Sequence, residues 1–153
     1  MAAGNFIVYD TAKKLLLSGG IDLDTDTIKC ALVTSSYTFD ITHDEWADAS
    51  TNEVANGDGY TTGGVTVTLT VTNTGSTTKV TTSGAPTWTA SGSGITARAA
   101  IFYKSGSGGG LTNPLIGYVL LDTTPANVSA SAGYTLTITP NASGYFTLTG
   151  ATS

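Results

Sequence analysis

The sequence predicts an all-β fold, an antiparallel β-sandwich of jelly-roll-like type, on three observations. First, the stretch VTVTLTVT places Val65, Val67, Leu69 and Val71 on one face and Thr66, Thr68, Thr70 and Thr72 on the other. That period of two marks a half-buried antiparallel strand. Second, the segments KVTTS, PTWTA, TARAAIFYKS, LIGYVLLD, GYTLTITP and GYFTLTG are separated by SGSG, SGSGGG, TPANVSASAG and NASG. Seven or eight short strands joined by glycine-rich turns describe a sandwich better than an α/β fold. Third, hydrophobic residues make up 40% of the 153 residues and charged residues only 11%. The first value supports a folded core, and the second lies well below the usual quarter. Thr, Ser, Asn and Gly take the place of the missing charge, and Thr favours strands while Gly favours turns.

The chain reads as a single domain over residues 1–153, of which 1–20 form an N-terminal arm and a short helix. Asn5 to Tyr9 is extended. Asp10 is placed to cap the helix TAKKLLLS, with Ala12, Leu15 and Leu16 toward the core and Gly19-Gly20 ending it. IDLDTDT then sets Asp22, Asp24 and Asp26 at alternate positions along an extended segment. TIKCALVT, Thr27 to Thr34, is apolar on both faces, so a central strand covered on two sides is predicted, with Cys30 as a small core residue. Thr42 to Ala55 reads as short helical turns, because Thr42 with Glu45 and Ser50 with Glu53 both have the capping-box spacing. Asn56 to Gly64 is a glycine-rich loop, and Ser105 to Gly110 is the tip of a hairpin. Trp88 alternates into a strand and belongs to the core, and Pro140 closes its strand. Each inward Val, Leu, Ile or Phe contributes roughly 1.5–3 kcal/mol on full burial, so such a core needs no cofactor.

Residues with chemical potential are few. A helix–loop–helix calcium loop counted from Asp22 needs glycine at its sixth position and an acid at its twelfth, where Thr27 and Val33 stand. Asp22, Asp24 and Asp26 are therefore candidates only for a weak calcium site. One cysteine, Cys30, and one histidine, His43, leave too few ligands for a zinc site and no intrachain disulfide. His43 lies in THDEW as a first-turn helix residue, with no nucleophile that the sequence assigns to it. Asp44, Glu45, Asp48 and Glu53 cluster on one helical segment and read as a solvated face. GDGYTTGG and GSGGGL lack the Lys-Ser/Thr of a phosphate loop. The expectation is a chain without a cofactor and without enzymatic activity.

Ten of the eleven acids lie between Asp10 and Asp58, against three lysines there, and the net charge is −5. That acidity argues against direct nucleic-acid binding. It would steer the acidic third toward a basic partner. No apolar run is long enough to suggest a membrane partner, and the N-terminus lacks the pattern of a secretory signal.

Several segments in the same order, IDLDTDTIKCALVTSSYTFD, THDEWADASTNEVANGDGYTTGG, ARAAIFYKS, PLIGYVLLD and ASGYFTLTG, resemble a family of small tailed-bacteriophage virion proteins of the capsid decoration or cement type. The resemblance implies a structural protein that binds the major capsid protein and stabilises the head. It implies a dimer or trimer seated on the capsid exterior of a virion assembled in the host cytoplasm. Phe6, Ile7 and Tyr9 of the extended arm, which would add to a neighbour's sheet edge, are candidate partner contacts. Trp46 and Tyr60 complete that set. Two alternatives stand beside it: a tail-tube, head–tail adaptor or fibre-base protein, and a carbohydrate-binding module stacking sugars on Trp46, Tyr37 or Tyr60.

Overall fold

The computed structural model describes residues 3–150. The chain runs β1 (Phe6–Val8), α1 (Asp10–Ser18), β2 (Ile28–Val33), α2 (Ala47–Ser50), β3 (Val65–Val67), β4 (Leu69–Thr74) and β5 (Thr77–Thr82). It continues through β6 (Thr87–Thr89), β7 (Ile95–Ala97), β8 (Ala99–Lys104), β9 (Ser107–Gly108) and β10 (Leu111–Thr112). β11 (Leu115–Leu120), β12 (Val128–Ala130), β13 (Thr135–Thr137) and β14 (Phe146–Thr149) complete it. The fold is all-β and every pairing is antiparallel.

A five-stranded sheet of order β1-β11-β8-β2-β3 forms the middle layer. Against one face lie the three-stranded sheet β14-β5-β4 and the pairs β13-β6 and β12-β7. These pairings draw one large sheet facing three small ones, not the two equal sheets of a jelly roll. Between these layers Ile28, Cys30, Leu32, Phe102 and Ile116 meet Val80, Trp88, Ile95, Leu136 and Tyr145. On the other face a second core sets Ala31, Val33, Ile101 and Tyr118 against Tyr9, Ala12, Tyr37, Trp46 and Ala49. β2 is thus covered on both sides, as its unbroken apolar sequence predicts.

The strands outnumber the seven or eight expected: β1, β9, β10 and β12 are additional short strands, and two long predicted strands change layers midway. VTVTLTVT breaks at Thr68: β3 edges the central sheet and β4 joins the outer one. The Thr68 carbonyl accepts from the Ser83 N–H at 3.2 Å and from Thr82 Oγ1 at 2.8 Å. TARAAIFYK breaks likewise at Arg98, whose N–H donates to the Val33 carbonyl at 2.8 Å. Strands that switch sheets at such corners tie the layers of a sandwich together. β3 begins from Gly64, which has φ +70°, and a Cβ there would fall 1.9 Å from the Cys30 carbonyl oxygen. Only glycine allows that approach.

The helix is found where predicted, but its start is different. Tyr9 is the N-cap and makes no side-chain cap bond, while Asp10 is the first helical residue and pairs with Lys13 Nζ at 2.8 Å. Gly19, with φ +76°, provides the left-handed C-cap. The predicted short helical turns over residues 42–55 are found as α2 continued by turn bonds from the Asn52 and Glu53 N–H groups to the Ala49 and Ser50 carbonyls, but neither capping box forms. Asp40 Oδ1 accepts from both the N–H and the hydroxyl of Thr42. Asp48 Oδ2 accepts the N–H groups of Asp44 and Glu45 instead. His43 lies in the turn ahead of α2, not in a helical first turn. Ser107 to Thr112 forms the expected hairpin, with Gly109 and Gly110 at positive φ as a tight two-residue turn needs.

Candidate functional site: an acid-rimmed apolar groove beside a hydroxyl-covered sheet

Period-two alternation in the outer strands sends Val, Leu, Trp and Ile inward and Thr outward. Across β6 and β13 the hydroxyls of Thr87 and Thr137 meet at 3.0 Å. Across β7 and β12 those of Thr96 and Ser129 meet at 2.8 Å, and Thr77 and Thr149 meet at 3.3 Å. Strands β4 to β7 and β12 to β14 carry one charged residue, Lys79. The opposite side holds Asp10, Asp40, Asp44, Glu45 and Asp48 on the helix-and-loop cover of the second core. The protein therefore has a neutral hydroxyl pole and an acidic pole.

At one edge of the sandwich, the inner face of the β4–β5–β14 sheet extends past the core. A groove of about 390 Å3 opens there between the sheet, α1 and the aspartate turn. Leu16, Leu17, Leu23, Val71, Phe146 and Leu148 supply its apolar walls. Leu17 is 79% exposed and Leu148 60%, the two most exposed large aliphatic side chains among the described residues. The charged residues lining it are Asp22 and Asp24.

The three alternating aspartates do not line an extended face. Residues 22–26 form a closed turn in which the Asp26 N–H donates to the Asp22 carbonyl at 2.9 Å. Asp22 Oδ1 accepts the N–H groups of Asp24 and Thr25, and Asp24 Oδ1 accepts the Val71 N–H at the edge of β4. Asp26 Oδ2 accepts the Asp22 N–H and pairs with Lys104 Nζ, both at 2.8 Å. Each carboxylate is thus committed to a different group. Among the described residues no group of three or more His, Cys, Asp or Glu is arranged to hold a metal ion.

Hydrogen bonds from Thr25 and Asp24 hold the Asp22 carboxyl below its ordinary range. Desolvation raises Asp26, but the Asp22 N–H and the Lys104 ammonium outweigh it, and the net shift is downward. A depressed carboxyl contributes stability that is present above its unfolded value and lost as pH falls through the folded one. Stability is therefore expected to decline below about pH 4. Asp26→Asn should flatten part of that decline and cost about 1–2 kcal/mol at neutral pH. Thermal melts of both proteins between pH 2 and 7 check this; parallel curves would show that the pair contributes nothing.

The expected partner contacts are mostly interior. β1 pairs with β11 on one side, Ile7 opposite Tyr118, and stands at the edge of the central sheet, with no strand on its other side among the described residues. Phe6 packs against Phe102, Tyr145 and Phe146 with ring centroids 5.2–5.5 Å apart. Its ring lies over Gly117, where a Cβ would approach within 1.9 Å. Tyr9 is buried, and Trp46 stacks on Tyr103 at 4.8 Å. Tyr60 is buried, accepting the Leu32 N–H at 3.0 Å and donating to Glu53 Oε1 at 2.6 Å. Ile7 alone of the five is exposed, at 37%. Tyr37, Trp46 and Tyr60 are all buried, so none offers a ring face for a sugar to stack on.

His43 Nδ1 bonds the Tyr37 phenol at 2.9 Å, and Tyr37 bonds Tyr9 at 3.0 Å. Burial pushes both phenols up, and for Tyr9 the hydrogen bond with Tyr37 adds to the effect. The imidazole is thus engaged by a phenol that stays neutral, not by an aliphatic hydroxyl or a thiol, and the chain of bonds fastens the cover to the start of α1.

Leu17 and Leu148 were missed as site residues, though the sequence carried a signal. Three consecutive leucines in one short helix step by about 100° each, so they do not all reach one core. Comparison of the chain with protein-family models, with curated proteins and with solved structures finds no match.

Proposed function

We propose that this protein is a bacteriophage capsid decoration protein, which binds the major capsid protein and stabilises the head by adhesion. The observation that carries the reading is the neutral outer layer, whose exposed threonines and serines already bond one another across strands. A hydroxyl that keeps a partner inside its own sheet loses less when water is removed than an unpaired one, and far less than a charge. Such a face is suited to lie flat on another protein. Cores on both sides of the central sheet make it stiff, and contacts to several neighbours on a closed shell sum from modest single affinities. The resemblance of several segments to small virion proteins supports the same assignment.

The test is sedimentation with heads that lack the protein. The native chain should pellet with them and raise the temperature at which they rupture. Thr87→Lys with Thr96→Lys changes exposed residues on different strand pairs, so no two lysines face each other and stability should fall by no more than about 1–2 kcal/mol. Binding should weaken by about tenfold or more, because two charges must be desolvated. Heads that neither bind the native chain nor gain heat resistance would refute the reading.

A further inference from the structure

We infer that the groove between α1, the aspartate turn and the β4–β5–β14 sheet receives a segment of the shell protein that carries aliphatic side chains flanked by lysine or arginine. The inference rests on the decoration reading for the identity of the partner, but its chemistry is read from the groove alone.

Single exposed apolar side chains are ordinary, whereas a contiguous set marks an interaction surface. Leu17 and Leu148 face the same groove from opposite elements, and both remain in water while Leu15 and Val80 nearby are buried. The groove arises from a mismatch of lengths. The β4–β5 hairpin runs to Thr74 and Thr77, beyond the reach of the nine-residue helix. At the end of the sheet's inner face Val71 and Thr78 are only half-buried and Leu148 is exposed, so the covering layer there is incomplete. An inserted aliphatic segment would complete that layer.

Charge decides between occupants. Asp22 and Asp24 stand exposed on one wall, and among the described residues no cation lines the groove to offset them. Their bonds to backbone N–H groups fix the carboxylates in place without neutralising them. Asp26 differs, being paired with Lys104. A second copy docked about a twofold axis would bring the same aspartates toward one another, which like-charge repulsion opposes. A segment with basic residues beside its apolar anchor satisfies both walls.

Two 12-residue probe peptides test this by NMR titration of the isotope-labelled protein. Each carries the same two leucines, flanked in one peptide by lysines and in the other by glutamates. The lysine peptide should shift the amide signals of Leu17, Asp24, Val71, Thr78 and Leu148. It should bind about tenfold more tightly than the glutamate peptide at low salt, a gap that closes as ionic strength rises. Leu17→Ser with Leu148→Ser should abolish the shifts and leave the fold intact, since both side chains are exposed. Equal binding of the two peptides, no binding, or shifts confined to another surface would overturn the inference. So would a dimer of the native chain that this double variant returns to monomer, because the occupant would then be a second copy. If the lysine peptide binds but heads do not, the decoration reading falls and the groove stands. If heads bind and the double variant binds them equally well, the reverse holds.

Discussion

Phe102→Ala is expected to destabilise the protein by about 3–5 kcal/mol, a large part of the total for a domain of this size. Phe102 is fully buried at the middle of β8, the strand flanked by β11 and β2 in the central sheet. Its ring contacts Phe6 at 5.2 Å and Tyr145 at 4.8 Å, so it links the N-terminal arm, the central sheet and the outer layer. Truncation removes the transfer energy of the ring and leaves a cavity that a two-sided sheet cannot close by collapsing. It also takes away one of the three ring partners of Phe6, so β1 should lose protection against amide exchange before the rest of the sheet. Urea unfolding measures the total, and hydrogen exchange at Ile7 and Val8 locates the local part. Tyr134→Ala, at an exposed site, is the control and should change stability by less than about 0.5 kcal/mol.

Tyr60→Phe should cost about 2–4 kcal/mol although it removes one oxygen atom. That oxygen accepts the buried Leu32 N–H and donates to Glu53 Oε1, which also accepts the Gly63 N–H at 2.6 Å. Without it, a buried donor near the end of β2 has lost its acceptor and the loop from Glu53 to Gly64 loses its anchor. Burial, reinforced by donation to Glu53, holds the phenol well above its ordinary value. A proton kept in the folded state and released in the unfolded one makes stability fall as pH rises past about 10. The native protein should show that alkaline decline, and Tyr60→Phe should show less of it. Burial pushes Tyr103 to about 12, so a residual decline remains in the variant. Thermal melts from pH 7 to 11 decide the matter: a variant with unchanged stability and an unchanged alkaline slope would show that the network does not support the loop.

Local pattern revealed what local physics determines. The glycine that ends α1, the two-sided burial of β2 and the outward threonines all follow from spacing along the chain. The layer changes at Thr68 and Arg98 did not show, because alternation of Val with Thr continues unbroken through a corner between two sheets. Asp22, Asp24 and Asp26 looked like one face of a strand because period two is also what a short turn displays when Ile21 and Leu23 point inward. The aromatics were misplaced for a related reason. Trp46 and Tyr60 sit in polar segments, and their burial depends on Tyr103 and Leu32, residues 57 and 28 positions away. The groove depends on the extent of a hairpin relative to a helix far from it in sequence, which no window of sequence contains.

As proposed, the protein acts as an adhesive tile, its neutral sheet laid on a shell. An electron-microscopy reconstruction of the intact particle tests it most directly. Many copies should be spread over the outside of the head, with Thr87, Thr96, Ser129 and Thr137 facing the major capsid protein. Density confined to a single ring at the connector or tail, or copies whose threonine face points to solvent, would contradict it.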